Sequence, residues 1–101
     1  MLKKGDWCKH FKGVNLDEKN IYVVLETGVT YSGDNSTKPL VNLVVYQNVF
    51  EKNIFVREVE DLIEELPKDK QEIYGQVHRV EKLTQEEINY VKGKLGEIGE
   101  K

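Results

Sequence analysis

The chain has 101 residues, 39% of them hydrophobic and 33% charged, with 15 Lys and Arg against 18 Asp and Glu for a formal net charge of −3. That length suits one domain with a modest core. The acidic balance argues against duplex-DNA binding, which needs a positive excess against phosphates, and the single cysteine, Cys8, excludes an intramolecular disulfide and an all-thiolate zinc site.

No apolar run approaches the roughly 18 residues of a membrane span. No apolar stretch follows Lys3-Lys4-Gly5 as it would in a signal peptide. The expected compartment is the cytoplasm, with no membrane partner and no cofactor.

Trp7 to Phe11 reads as a short strand closed by Gly13, and 15–20 as a polar turn. Ile21 to Thr27 is a second strand, in which Ile21, Val23 and Leu25 share one face. Gly28 to Pro39 is rich in Gly, Ser, Asn, Asp and Thr and reads as the longest loop. Leu40 to Phe50, β-branched and aromatic, is the strongest strand signal, and Asn53 to Arg57 follows it. A two-residue hairpin turn at Glu51-Lys52 or Lys52-Asn53 would join the two, the second favoured because Asn53 tolerates a positive φ.

Val59, Leu62, Ile63 and Leu66 are spaced for one or two helical turns ended by Pro67. Lys68 to Glu72 reads as a charged loop, and Ile73 to Leu83 as holding a last strand. Thr84 and Glu87 then fit a capping box. Ile88, Val91, Leu95 and Ile98 form the apolar stripe of a terminal helix, whose Gly93, Gly96 and Gly99 predict fraying after Leu95. The fold class expected is mainly β: a small SH3-like barrel of about five strands over 1–83, and a C-terminal amphipathic helix over 84–101 packed on the barrel or extending from it.

Several short motifs come in a fixed order: Lys9-His10-Phe11-Lys12-Gly13, Tyr22-Val23-Val24-Leu25, Leu43-Val44-Val45-Tyr46-Gln47, Phe55-Val56-Arg57 and His78-Arg79-Val80-Glu81. Over about residues 5–83 this order resembles a family of short bacterial proteins, the domain-of-unknown-function family number sixteen fifty-three. The resemblance implies an SH3-like barrel and no activity. The chain departs from the family pattern where Phe55 replaces a Trp, Glu58 a Pro and Val80 a Phe. A further departure falls at Ser32-Gly33-Asp34-Asn35, where the family's His-Ser-Glu-Thr stretch loses its histidine.

Either two-residue turn gives the central hairpin one parity. Val41, Leu43, Val45, Val49, Ile54 and Val56 then share a face, expected to be the barrel core. Asn42, Val44, Tyr46, Asn48, Phe50, Phe55 and Arg57 share the other, expected to face outward as a recognition surface. Arg57 suits bidentate grip of a carboxylate or phosphate. The plainer alternative pairs it with Glu58, Glu60 or Glu64, or stacks it on Tyr46.

His10 and Lys12 share a face and form a small basic edge, unless His10 only bonds a backbone carbonyl. Arg79 is a further candidate, unless a salt bridge to Glu26 or Glu51 explains it. His10 and His78 lack the spacing of a metal pair. Cys8 with His10 lacks an oxyanion element, so a buried inert thiol is expected. The acidic run from Glu58 to Glu65 reads as a solvated helix face.

The leading expectation is a non-enzymatic binding or adaptor module that uses Arg57, Tyr46, Phe55, His10, Lys12 and Arg79 on a protein partner, a second copy of itself included. The alternative is capture of a small anion such as a nucleotide, as a sink for a host signal if the gene is phage-borne. An enzyme is the third reading, without a recognisable catalytic constellation.

Overall fold

The structure, a computed structural model, describes residues 2–12, 16, 18–31 and 40–99. Among these residues five strands are present: β1 (Trp7–His10), β2 (Ile21–Tyr31), β3 (Leu40–Asn48), β4 (Ile54–Glu58) and β5 (Val80–Lys82). A 3-10 turn spans Glu18–Asn20, and the helices are α1 (Val59–Ile63), α2 (Lys68–Tyr74) and α3 (Gln85–Gly99). The strands form one antiparallel sheet in the order β4-β3-β2-β1-β5. A meander whose first strand pairs with the last, with one long second strand, is the order of SH3-like barrels, so the mainly β expectation holds.

Closure comes from outside the named strands. Residues 64–66 run beside 77–79: Arg79 N–H donates to the Glu64 carbonyl at 2.8 Å, and Leu66 N–H to the Val77 carbonyl at 2.8 Å. The chain after β4 is thereby tied to the chain entering β5. Curvature comes from β2, whose register with β3 shifts between Val24 and Glu26, between Glu26 and Val29 and between Val29 and Tyr31. Gly28 takes φ +65° between two of these paired positions, a conformation only glycine adopts without strain. This is why β2 continues to Tyr31 instead of ending at Thr27. The remaining expected loop residues, 32–39, lie outside the described residues.

Alternate residues of the middle strands enter two different cores. Cys8, Val24, Val44 and Val80 pack with Leu2 and with Leu62 of α1, flanked by Tyr22, Tyr46 and Val59. On the opposite face Ile21, Val49 and Leu83 pack on Val91 of α3, flanked by Trp7, Val23, Ile88 and Leu95. The terminal helix thus lies on the barrel. Fully burying a residue such as Val91 stabilises by about 1.5–3 kcal/mol.

The expected core face of the hairpin needs correcting. The parity holds, with Tyr46 opposite Phe55 and Val44 opposite Arg57. Leu43 and Val49 are buried, but Ile54 and Val56 are 58% and 54% exposed, whereas Val44, expected outside, is 1% exposed. The sheet curls toward the Val44–Tyr46 face because α1 and residues 64–66 cover that side. The turn is longer than expected as well. Asn48 N–H donates to the Asn53 carbonyl at 2.9 Å and Lys52 N–H to the Asn48 carbonyl at 2.9 Å. The buried Asn48 side chain organises the turn, its Oδ1 accepting from the N–H of Phe50 at 2.8 Å and of Glu51 at 2.6 Å. The positive φ falls on Lys52, not Asn53. The register differs by two residues from the Glu51-Lys52 turn and by four from the Lys52-Asn53 turn, an even number either way, which leaves the parity intact.

Three further boundaries differ. Lys68 to Glu72 is helical, not a loop: Pro67 sits at the N-cap, and Gly75, in the left-handed region, donates its N–H to the Gln71 carbonyl at 2.8 Å. That helix takes Ile73 and Tyr74, so the last strand shrinks to Val80–Lys82. Helix α3 continues past Leu95 to Gly99. Its capping box is as expected, Thr84 N–H donating to Glu87 Oε1 at 2.8 Å and Glu87 N–H to Thr84 Oγ1 at 3.2 Å.

Candidate functional site

The curled face is not flat. It encloses a cavity of about 610 Å³ floored by Cys8, Val24, Val44 and Val80, within the size range of small-molecule sites. All six residues singled out from the sequence line it: His10, Lys12, Tyr46, Phe55, Arg57 and Arg79. Tyr46, Phe55 and Arg57, expected to face outward, stand around an open hollow, with Phe55 and Arg57 exposed and Tyr46 half-buried. Phe55 is still 41% exposed at its rim.

The cavity has an aromatic side and a cationic side. Tyr46 of β3 and Phe55 of β4 are cross-strand partners, and their rings stack at 5.6 Å and 28°. Tyr22 of β2 stands edge-on to both, at 5.1 Å and 81° from Tyr46 and at 6.0 Å and 82° from Phe55. Burial pushes the Tyr46 phenol above its usual range, against the pull of Arg57, so its hydroxyl stays protonated. Burial likewise raises Tyr22, whose hydroxyl donates to the Lys19 carbonyl at 3.1 Å.

The cationic side is built from four separate segments. Arg57 follows Phe55 on the same face of β4 and makes no ion pair among the described residues, so neither Glu58, Glu60 nor Glu64 neutralises it. Lys12 follows β1, Lys70 comes from α2 and Arg79 precedes β5. Lys12 Nζ, Lys70 Nζ and the Arg79 guanidinium gather over the Phe11 ring, at 5.9, 5.7 and 5.9 Å from its centroid. Arg79 pairs with Glu64 rather than Glu26 or Glu51, Nη2 to Oε1 at 2.7 Å. Its Nε is buried without a hydrogen-bond partner among the described residues.

Burial, with the positive charges of Lys12, Arg79 and Arg57, pulls His10 down to about 4. Its Nδ1 accepts the Lys12 N–H at 3.2 Å instead of the ring bonding a carbonyl. The ring is therefore neutral with its proton on Nε2. Burial, aided by the charge of Asp6, pushes Cys8 up to about 12. Its thiol is inert, and with His10 it makes no nucleophile pair.

His78 lies away from this cavity, its Nδ1 3.5 Å from Glu81. Among the described residues no group of three or more His, Cys, Asp or Glu side chains could hold a metal ion, and no helix is long and apolar enough to cross a membrane.

The lining also includes Tyr22, Glu64, Glu65 and Lys70, which are not among the six candidates. Tyr22 was within reach, since placing Ile21, Val23 and Leu25 on one face puts Tyr22 and Val24 on the other. Glu64 and Glu65, read as a solvated helix face, form part of the rim. Lys70 arrives only through α2, and no local pattern announces it. Comparisons with protein-family models, with curated proteins and with solved structures return no match.

Proposed function

We propose that the chain is a non-enzymatic binding module and that its ligand is a small anion held in the cavity. One observation carries this reading. Arg57, Arg79, Lys12 and Lys70 converge on one hollow faced, among the described residues, by two carboxylates, Glu64 and Glu65, in a chain whose net charge is −3. Like charges converge against their mutual repulsion, and an anion relieves it. The site is built to hold rather than to turn over. Its thiol is protonated at any physiological pH, and its histidine is neither a general acid nor free at Nδ1.

Thermal unfolding with phosphate, pyrophosphate, sulfate, sugar phosphates and nucleotides tests this reading. A ligand that binds only the folded state raises the midpoint. The expected result is stabilisation that weakens with salt and is lost in Arg57→Gln. No shift with any anion, or a shift that Arg57→Gln leaves intact, would remove the reading.

A second reading, an adaptor that includes self-association, is favoured by the exposed Ile54 and Val56 of edge strand β4. Light scattering decides it: a monomer at every concentration counts against self-association.

A further inference from the structure

We infer that the anion is a nucleoside phosphate, its phosphate at the Arg57–Lys12–Arg79 side of the cavity and its base on the Phe55–Tyr46–Tyr22 side. This inference rests on the anion-binding reading and adds to it the other half of the ligand.

Cations alone would serve for inorganic phosphate, a sugar phosphate or a carboxylate. The rings are what such ligands leave unused. Tyr46 and Phe55 stack with their planes 28° apart and Tyr22 stands edge-on to both, so the braced ring of Phe55, 41% exposed, is the shelf this cluster offers. An accessible aromatic ring holds a nucleobase because every base presents a π-face.

The spacing between the two halves follows from the strand. Phe55 and Arg57 are two residues apart on one face of β4, so their Cα atoms are separated by about 6.6 Å. That is the order of the ribose that separates base from phosphate. Across the ladder, Val44 lies opposite Arg57 and Tyr46 opposite Phe55, so the pair on β3 repeats the pattern of floor and shelf. A small apolar residue beside the guanidinium leaves room for the phosphate.

Polar groups around the shelf favour a heterocycle over a plain phenyl ring. The Tyr46 hydroxyl has no hydrogen-bond partner among the described residues and stays protonated, so it can donate to a ring nitrogen or exocyclic oxygen. Glu65 lines the cavity and makes no ion pair among the described residues, which leaves a carboxylate to accept from ribose hydroxyls or an exocyclic amine. His10 offers a neutral Nε2–H donor beside the cations.

Isothermal titration of the full chain provides the test. The probes are the mono- and diphosphates of adenosine, guanosine, cytidine and uridine and the cyclic purine dinucleotides. Pyrophosphate, ribose phosphate, phosphotyrosine and the uncharged nucleosides serve as comparison arms. At least one nucleoside phosphate should bind about tenfold or more tightly than pyrophosphate and ribose phosphate. Phe55→Ala should erase that advantage and Phe55→Trp should keep it. Arg57→Gln should weaken the same ligand about tenfold or more, and Tyr90→Ala, on the exposed surface of α3, should change nothing.

The bound nucleotide should be recovered chemically intact. Should Phe55→Ala fail to fold, Phe55→Leu removes the ring while keeping the bulk. If pyrophosphate or ribose phosphate binds as tightly as every nucleotide and the Phe55 variants have no effect, this inference falls and the anion reading stands. Tightest binding of phosphotyrosine has the same consequence. If no anion binds, both fall.

Discussion

The backbone N–H of Lys12 donates to Nδ1 of His10 across 3.2 Å. Burial, and then the surrounding cations Lys12, Arg79 and Arg57, keep the imidazole neutral, with its pKa down at about 4. The unfolded chain protonates His10 near 6.5, before the folded one does. As pH falls from about 6.5 to 4 the unfolded state binds more protons and stability declines. Above 6.5 the contribution is flat. Denaturant midpoints measured against pH should show this slope, and His10→Gln should lose that part of it. Anion affinity should not track the protonation of a free histidine between pH 6 and 8.

Among the described residues, Glu64 is the carboxylate engaged with a cavity cation, through Arg79. An exposed pair of this kind is worth about 0.2–1 kcal/mol. Glu64→Gln should therefore cost little stability. Anion affinity should rise roughly two- to fivefold, the equivalent of removing about 0.4–1 kcal/mol of opposing charge. Titration of wild type and variant with the same phosphate ligand checks both effects, and a weakened affinity would mean that Glu64 positions Arg79 rather than competing for it.

Cys8 should resist thiol reagents in the folded protein, because its thiol is buried and pushed up to about 12. Its labelling rate in native buffer should match the rate of opening and rise sharply in denaturant. Cys8→Ser places a hydroxyl among apolar side chains and should cost about 1–3 kcal/mol, measured by chemical denaturation.

At the start of α3, Glu87 holds both the Thr84 N–H and Lys9 Nζ, the latter at 2.9 Å. Burial works to raise its carboxyl, and the hydrogen bonds from Thr84 and Lys9 overcome that, so its pKa lies below the usual 4.5. Its contribution is therefore present above 4.5 and fades as pH falls through the lowered value. Thr84→Ala should cost about 0.5–2 kcal/mol, seen as a lower unfolding midpoint, with anion affinity unchanged because the helix lies on the other face.

Alternation in the two central strands is legible in the residues alone: Tyr46, Phe55 and Arg57 share a face whichever odd register the turn selects. Which face lies inside is not legible there, since Ile54 and Val56 are as apolar as any core strand. The direction of curl depends on the register shifts around Gly28 and on the pairing of 64–66 with 77–79, contacts distant in sequence. The same distance hides Lys70, which a run of five polar residues presents as a surface turn. The Thr84–Glu87 box is legible because both partners sit within one helical turn.

Because β1 and β2 send Cys8, Tyr22 and Val24 to the hollow and Trp7, Ile21 and Val23 to the helix-backed side, the two roles are interleaved rather than shared. Substitutions at one set of alternate positions can retune what the hollow accepts while the other set keeps the scaffold braced. A chain built this way can change its ligand in a few steps without first having to find a new way to fold.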